Sequence, residues 1–172
     1  TVLVAEGRIV KIGPTRTTAL PADAHVIDGT GKVLIPGLWD MHVHLTAQGD
    51  GTPAAFIALG VTGVRDMGGN LAVIQRLRRR ISNGTVMGPR IVAPGPILDG
   101  PQARGTGGRR AVTTAAEGIE AVRELKAEGV DFIKTHSLLP RDAYFAIAGE
   151  AQRQGLAVAG HVPDAVRLDE AI

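Results

Sequence analysis

Residues 35–45 of the chain read Ile-Pro-Gly-Leu-Trp-Asp-Met-His-Val-His-Leu: an apolar residue, a Pro-Gly turn and then two histidines separated by one residue. Side chains alternate across a β-strand, so His42 and His44 point to the same face and can bind one cation. The pattern predicts a buried strand that leaves the core with two imidazole ligands at its end. The alternative, two core histidines hydrogen-bonded to the backbone, fits this strand context less well. The stretch therefore predicts a metal site.

The composition limits the chemistry of such a site. The chain has 172 residues, 44% of them hydrophobic and 21% charged, which is typical of a globular protein with a real core. It has no cysteine, so a metal must be held by nitrogen and oxygen ligands. The formal net charge is +2 and the arginines cluster at 76–80 and 109–110 without interleaved aromatic residues, which argues against a nucleic-acid partner.

Membrane partners are not expected either. No apolar run approaches the roughly twenty residues that span a bilayer, and no signal region precedes the first predicted strand. The compartment stays open. Both ends of the chain are expected to be cut rather than finished, because the first residues already read as a strand and the last as a helix.

The order of predicted elements changes near residue 36. Before it, short β-type runs at 2–5, 8–12, 25–28 and 33–35 alternate with Gly and Pro and predict a small β unit. After it, strands and helices alternate, which predicts a parallel sheet with helices outside. The predicted strands are 38–45, 61–67, 90–93, 130–135 and 156–161, and the predicted helices are 53–59, 71–81, one capped by Thr113 or Thr114, and 141–154. The Gly- and Pro-rich residues 94–112 are expected to form a long active-site loop or lid.

Such a sheet can be an open, doubly wound sheet or a (β/α) barrel, and the order of elements alone does not decide between them. The loop after the first strand of the alternating part lacks a G-x-G-x-x-G turn and the chain has no P-loop sequence, so the nucleotide-binding version has no support. Polar residues instead follow successive strands, which is where a barrel builds its site. They are His42, His44, Asp66, Lys134, His136 and His161.

Several of these residues admit two interpretations. A buried Lys134 costs free energy unless it has a role, although a salt bridge would also satisfy it. His136 faces the same way and is a rival ligand. His161, taken alone, fits a packed histidine as well as a ligand, and the constellation favours the ligand.

Other polar residues near the strand ends have ordinary alternatives. Asp40 is expected either to orient an imidazole or to accept a hydrogen bond at the strand end. Arg65 and Asp66 are interpreted as an ion pair or loop anchor, His25 as incidental, and Arg76 to Arg80 as a solvated helix face. Arginines 104, 109 and 110 would either bind a substrate carboxylate or lie on a solvated loop.

Four motifs together resemble the amidohydrolase superfamily, in particular its imidazolonepropionase-like and Xaa-Pro dipeptidase-like members. They are Gly-Thr-Gly-Lys-Val-Leu-Ile-Pro-Gly-Leu-Trp-Asp-Met-His-Val-His at 29–44, Gly-Val-Thr-Gly-Val-Arg-Asp-Met-Gly-Gly at 60–69, Asp-Phe-Ile-Lys at 131–134 and Gly-His-Val-Pro at 160–163. The resemblance runs in order over essentially the whole chain. It implies a partial TIM (β/α)8 barrel of about five of the eight strands, formed by residues 37–172, and part of a small β-sandwich formed by residues 1–36.

The resemblance also implies a metal centre. His42 and His44 would bind the buried metal, a carboxylated Lys134 would bridge two divalent metals, and His161 would bind the more exposed one. Zinc suits mixed histidine and carboxylate ligation best, and manganese, cobalt or iron would also fit. The implied reaction is hydrolysis of an amide-type C–N bond by a metal-activated hydroxide, in a dipeptide, an N-acyl amino acid or a cyclic amide. The general-base aspartate is expected beyond residue 172, so the isolated segment is expected to be inactive.

Two other functions stay open at this point. The chain could be a non-catalytic or complementing half-barrel that associates with another chain, or a one-metal, deaminase-like enzyme in which Lys134 is not a ligand. The expected partner is a small-molecule substrate, and homo-oligomerisation of the full-length protein is left open.

Overall fold

The computed structural model describes residues 1–47, 52–103 and 108–171, and the chain divides into two compact units, Thr1–Ile35 and Pro36–Ile172. In the first unit, strands β1 (Val2–Ala5) and β2 (Arg8–Ile12) form an antiparallel hairpin, as the sequence predicts. Its two-residue turn places Glu6 and Gly7 at φ 50° and 71°, the left-handed backbone that a tight hairpin turn requires.

The strands predicted at 25–28 and 33–35 do not form, and this prediction is wrong. A strand is stabilised by hydrogen bonds to a neighbouring strand, and no described residue pairs with these segments. Their apolar side chains are accordingly exposed, for example 82% at Ile27 and 87% at Val33. These two segments have the composition of β-strands, but no described strand pairs with them to form a sheet.

The second unit alternates strands and helices, as predicted. Its strands are β3 (Leu38–Val43), β4 (Val61–Asp66), β5 (Arg90–Val92), β6 (Ile97–Asp99), β7 (Arg109–Ala111), β8 (Phe132–Thr135) and β9 (Ala157–Gly160), and its helices are α1 (Thr52–Ala58), α2 (Leu71–Ser82), α3 (Ala115–Ala127) and α4 (Arg141–Arg153). The described strands form two parallel sheets with the orders β3-β4-β5 and β7-β6-β8-β9. This mixed α/β architecture is consistent with part of a TIM-like fold.

Asp131 joins the two sheets. Its backbone N–H donates to the carbonyl of Ala93 (3.0 Å), and its carboxylate accepts from the N–H of Ala93 (2.8 Å). Arg78 of α2 pairs with the same carboxylate and donates to the carbonyl of Ile91 (2.8 Å). Arg78 therefore faces the sheet, which corrects the prediction that residues 76–80 are only a solvated face.

Residues 94–112 are not the uninterrupted loop that the sequence predicts, since they contain β6 and β7. Each of these strands has only three residues, and the flanking glycines and prolines hide them from a pattern of apolar alternation. Leu98 and Val112 are nevertheless completely buried. Residues 104–107 of this segment lie outside the described residues.

Two apolar clusters hold the helices to the sheets. One contains Leu98, Val122, Ile133 and Ile147 and lies between the pair α3–α4 and the second sheet. The other contains Val43, Val64, Ile74 and Ile91 and lies under α2. Helix α3 begins with a side-chain cap, because the hydroxyl of Thr114 accepts from the backbone N–H of Glu117. This is one of the two threonines proposed from the sequence.

Strand β3, which carries the paired histidines, is less buried than predicted. Leu38, Trp39 and Met41 are 51%, 44% and 49% exposed, because β3 pairs with one described neighbour, β4, on one side only. The indole of Trp39 lies against the backbone of Gly63 on β4, where an added Cβ atom would come within 2.2 Å of the ring. Among the described helices, none combines the length and the apolar character needed to span a bilayer.

Candidate metal centre

His42 and His44 lie side by side at the carboxyl end of β3. Their ring centroids are 5.4 Å apart and the ring planes meet at 66°. His42 belongs to the strand and His44 follows it directly, so strand alternation places both rings on one face. Two imidazoles in this arrangement can supply two nitrogen ligands to a cation.

The ring of His44 is held by a backbone carbonyl. Its Nδ1 atom lies 2.8 Å from the carbonyl oxygen of Gly68 and donates to it, since a carbonyl can only accept. Nδ1 therefore carries the proton, and Nε2 keeps the lone pair that binds a metal. Gly68 has φ 130°, and a Cβ atom there would come within 2.1 Å of Ile97 Cγ1, so glycine is required at this position.

Asp66 anchors the loops that follow β3 and β4. Its side chain is fully buried and accepts from the backbone N–H groups of Leu45 (2.7 Å) and Gly68 (2.8 Å). The loop-anchor interpretation of Asp66 agrees with this geometry. Asp40 accepts from the backbone N–H of His42 at 3.0 Å, so it acts as a hydrogen-bond acceptor at the strand end.

The surroundings of His42 favour a neutral imidazole. His42 is exposed, but loss of hydration to the surrounding protein atoms lowers the pKa of His42. The charges of His44, Lys134 and Arg65 lower it further, whereas Asp40 acts in the opposite direction. The neutral form is the one that can bind a metal. Lys134, whose charge contributes to this shift, lies on β8 of the other sheet.

Lys134 is 3% exposed, and no carboxylate among the described residues forms an ion pair with it. The salt-bridge alternative is therefore not supported. Burial lowers the pKa of Lys134, and the positive charges of Arg65 and Arg109 lower it further. A lowered pKa favours the neutral amine, which is the form that reacts with carbon dioxide to give a carbamate.

His161 follows β9 and is fixed by bonds to β8 and the loop after it. Its backbone N–H donates to the carbonyl of Thr135, and the Thr135 hydroxyl donates to its carbonyl, each at 3.1 Å. The ring Nδ1 lies 2.9 Å from Ser137 Oγ. Gly160, at φ 150°, permits this close approach, since a Cβ atom there would come within 2.2 Å of the Thr135 carbonyl oxygen. No described residue forms a hydrogen bond with the Nε2 atom of His161, so this atom can face a ligand.

His136, the rival candidate, belongs to a different set of contacts. Its Nδ1 lies 3.1 Å from a carboxylate oxygen of Asp99 without hydrogen-bond geometry, and its Nε2 lies 3.5 Å from Arg109 Nη2. Burial lowers the pKa of His136, the Arg109 charge lowers it further, and Asp99 opposes the shift. A guanidinium beside Nε2 disfavours a cation there.

The residues fit a metal only if Lys134 is modified. In the described part of the chain, no group of three His, Asp or Glu side chains is arranged to hold a cation. A carboxylated Lys134 would add the missing anionic oxygen ligands beside His42 and His44. The donor set of imidazoles and one carbamate is nitrogen- and oxygen-based, as divalent cations such as zinc prefer.

Three residues that position this region were not singled out from the sequence. Ser137 contacts His161, Gly68 contacts His44, and Asp99 contacts His136. Asp99 had a detectable signal, since it follows two buried apolar residues, Ile97 and Leu98, at the end of a strand. The roles of Gly68 and Ser137 depend on tertiary contacts that no local pattern encodes.

Comparisons with known proteins give a consistent family of relatives, although no protein-family model matches the chain. The chain is 31% identical to a prolidase-like protein from Bifidobacterium longum, with a TM-score of 0.77, over 95% of this chain and 44% of that one. It is 26% identical to a prolidase solved with N-methylphosphonate-L-proline, with a TM-score of 0.76, over 94% of this chain and 50% of that one. Among curated proteins, it is 33% identical to imidazolonepropionase from Symbiobacterium thermophilum over 89 residues, 48% of this chain and 21% of the relative.

A second curated match is shorter and more similar. It is dihydroorotase from Mycobacterium tuberculosis, 52% identical over 48 residues, which are 28% of this chain and 11% of the relative. The chain spans about half the length of the solved relatives, and its matches cover a smaller part of the curated ones.

Proposed function

Because the chain belongs to the amidohydrolase superfamily, we propose that it is part of a metal-dependent hydrolase of amide-type carbon–nitrogen bonds. Its relatives are hydrolases that act on carbon–nitrogen bonds, and proteins of this superfamily typically bind divalent metals. The observations that support the proposal are the adjacent rings of His42 and His44 at the end of β3 and a buried Lys134 on β8 that has no described carboxylate partner. The fold we infer for the whole protein is a TIM barrel, of which residues 37–172 would supply part of the strands, joined to a small β-sandwich.

Each residue has a separate task in this proposal. His42 and His44 would hold one divalent cation, His161 would hold a second, and Lys134 would bridge them as a carbamate. When bound, such cations act as Lewis acids towards the scissile carbonyl and supply a nucleophile at neutral pH. Gly68 and Ser137 hold the rings of His44 and His161 in place through Nδ1. The proton that reaches the leaving nitrogen would come from an aspartate outside these residues.

Carboxylation would remove the cost of burying Lys134. The ammonium first loses a proton, and the neutral amine then attacks carbon dioxide. The N–C bond forms as one C=O π bond breaks, and a second proton leaves the nitrogen, so that a cation becomes a carbamate anion. Arg65 and Arg109 would attract an anion at this position, whereas they repel the ammonium form. Two divalent cations would neutralise the carbamate in turn.

The proposed substrates are small molecules with an amide-type bond: dipeptides, N-acyl amino acids or cyclic amides. The test is metal analysis of the purified full-length protein together with a hydrolysis screen of these three classes. We expect two equivalents of a divalent metal, zinc in the first instance, and turnover of at least one class that a chelator abolishes. One equivalent with deamination of a heterocycle would favour the deaminase-like alternative, and a metal-free protein without turnover would contradict the hydrolase proposal.

A further inference from the structure

Asn83 and Gly84 form the turn that directly follows helix α2, and both residues are exposed. Asn83 is the C-cap of the helix, and its backbone N–H donates to the Arg79 carbonyl (3.1 Å). Gly84 has φ 75°, and a Cβ atom added to it would meet nothing beyond its chain neighbours within 4 Å. The side of Gly84 that a side chain would occupy is therefore open.

An asparagine that precedes a glycine is chemically reactive, because the backbone nitrogen of the glycine can attack the carbon of the side-chain amide. The attack closes a succinimide ring, and a side chain on the attacking residue hinders it. Glycine has no side chain and adopts the widest range of backbone conformations. The chain has two asparagines, Asn70 and Asn83, and only Asn83 precedes a glycine.

The contacts of the Asn83 side chain favour this attack. Its Oδ1 atom accepts from the backbone N–H (3.1 Å) and from the hydroxyl (2.7 Å) of Thr85. Both donors can stabilise the negative charge that develops on this oxygen when the amide carbon is attacked. No described residue forms a hydrogen bond with Nδ2, the nitrogen that would leave. The oxygen is thus held in place, whereas the leaving group is not.

One hydrogen bond opposes the attack. The Gly84 N–H donates to the Ile81 carbonyl (3.0 Å), and this bond must open before the nitrogen can turn to the Asn83 side chain. The bond lies at the end of a helix, where the chain frays more easily than in the helix interior. The net strength of an ordinary hydrogen bond corresponds to a factor of about two to ten in rate. The fold therefore slows the reaction only modestly.

We propose that Asn83 is a site of spontaneous covalent modification, at which the folded chain deamidates to aspartate and isoaspartate. Hydroxide removes the proton of the Gly84 nitrogen, the bond from this nitrogen to Asn83 Cγ forms, and the Cγ–Nδ2 bond breaks. The departing nitrogen takes a proton from water and leaves as ammonia. Water then opens the ring: cleavage of the new N–Cγ bond gives aspartate, and cleavage of the original peptide bond gives isoaspartate. Water is the only co-reactant, so the inference does not depend on the proposed function.

Isoaspartate would change the end of α2, because it adds one carbon to the backbone between residues 83 and 84. The bonds from the Gly84 N–H to the Ile81 carbonyl and from the Val86 N–H to the Arg80 carbonyl (3.0 Å) depend on the normal spacing. Either product also places a new carboxylate at the negative end of the helix dipole. The modification therefore loosens the last turn of α2.

Asn70 is an internal control at the other end of the same helix. It is the N-cap of α2, it is also exposed, and its Oδ1 atom accepts from the backbone N–H of Val73 (3.2 Å). The residue that follows it is Leu71, whose side chain hinders attack by its own nitrogen. Trypsin separates the two asparagines, because Asn70 lies in the peptide 66–76 and Asn83 in the peptide 81–90.

The test incubates the full-length protein in heavy-oxygen water at mildly alkaline pH, digests it in ordinary water and analyses both peptides by mass spectrometry. We expect peptide 81–90 to exchange the amide NH2 for a heavy-oxygen hydroxyl and to separate into aspartyl and isoaspartyl forms. Peptide 66–76 should stay intact. The folded chain should react about two- to tenfold more slowly than a synthetic peptide 81–90, the factor for one hydrogen bond.

Two variants test the chemistry. Gly84→Ala adds a Cβ atom in open space and should slow the reaction in the protein and in the synthetic peptide alike. Asn83→Gln should nearly abolish the change in peptide 81–90. An unchanged rate in both forms of Gly84→Ala would exclude attack by the nitrogen of residue 84.

Three further results would overturn the inference. If Asn83 stays unmodified in the folded chain while the synthetic peptide reacts, the helix cap protects it. If Asn70 reacts as fast as Asn83, the glycine does not determine the site. If the product contains no heavy oxygen, it formed during digestion and not in the folded protein.

Discussion

The imidazole rings of His136 and His161 stack on each other, with centroids 4.3 Å apart and planes inclined by 27°. The two rings differ in their other contacts. His161 is held by the hydroxyl of Ser137, whereas His136 faces the carboxylate of Asp99 and the guanidinium of Arg109. Of the two stacked rings, only that of His136 therefore has a guanidinium held beside it.

This difference predicts unequal effects of two matched substitutions. His161→Asn should remove one of two bound metal equivalents, because it removes a ligand. His136→Asn should keep both, since a guanidinium beside the His136 ring disfavours a second cation there. Metal content by elemental analysis after gel filtration measures both variants. Loss of metal from His136→Asn together with full retention by His161→Asn would reverse the assignment.

Lys134→Ala should reduce the bound metal from two equivalents to one or none. The carbamate is the proposed bridge, and alanine cannot carry one. Hydrolysis should fall with the metal content. The control is Lys126→Ala, an exposed lysine in the last turn of α3, which should change neither quantity. Two equivalents retained by Lys134→Ala would exclude the bridging role.

Gly68→Ala should destabilise the fold and weaken metal binding. The new Cβ atom would meet Ile97 Cγ1 at 2.1 Å, and any shift of residue 68 moves the carbonyl that holds His44. Gly84→Ala is the control, since it has φ 75° but nothing within 4 Å of the added atom. Gly84→Ala should cost about 1 kcal/mol for the backbone conformation alone.

For both variants, the free energy of unfolding is measured by urea titration and the zinc affinity by a binding titration. We expect Gly68→Ala to lose more stability than Gly84→Ala and to be the one that binds zinc more weakly. Equal stability losses in the two variants, with unchanged zinc affinity, would refute the role of Gly68.

Glu150 should make part of the stability depend on pH. Side-chain bonds from Arg123, Gln154 and Arg153 lower the pKa of this α4 carboxyl from 4.5 to about 2. The folded state therefore holds fewer protons on Glu150 than the unfolded chain does between these values. This contribution is fully present above pH 4.5 and is lost as the pH falls through about 2.

Comparison of the wild type with Glu150→Gln isolates that contribution. The difference in free energy of unfolding should be largest near neutral pH and shrink steadily as the pH falls below 4.5. Glu124→Gln, which removes one partner of the more exposed pair with Arg110, should give a smaller difference, because solvent screens that pair. A Glu150→Gln difference that stays constant between neutral pH and pH 3 would contradict the linkage.

Local patterns predict much of this fold, because they depend on nearest neighbours in the chain. The hairpin of residues 2–12 and the Thr114 cap of α3 follow from turn and capping chemistry. The segment 25–28 shows the limit, since an apolar β-type run becomes a strand only where another strand pairs with it. The three-residue strand Ile97–Asp99 shows the opposite limit, because its pairing compensates for a composition typical of loops.

The candidate site divides in the same way. Strand alternation is enough to place His42 and His44 together, and burial of Lys134 follows from its apolar neighbours. The contact between Asp99 and Arg109 joins the ends of two short strands across residues that read as a loop. The bond from His44 to Gly68 joins the end of β3 to the loop after β4, 24 residues further along the chain. Such pairs become visible only in three dimensions.

Trp39 is the sole tryptophan of the chain and lies three residues before His42. Its ring packs against the backbone of Gly63. Intrinsic fluorescence excited in the indole band therefore originates from one position, on the strand that carries the paired imidazoles. Because the indole is 44% exposed, its emission responds to the access of water and quenchers. The fold thus contains its own optical reporter, and a change of the emission spectrum on zinc addition would report binding at this strand without an added dye.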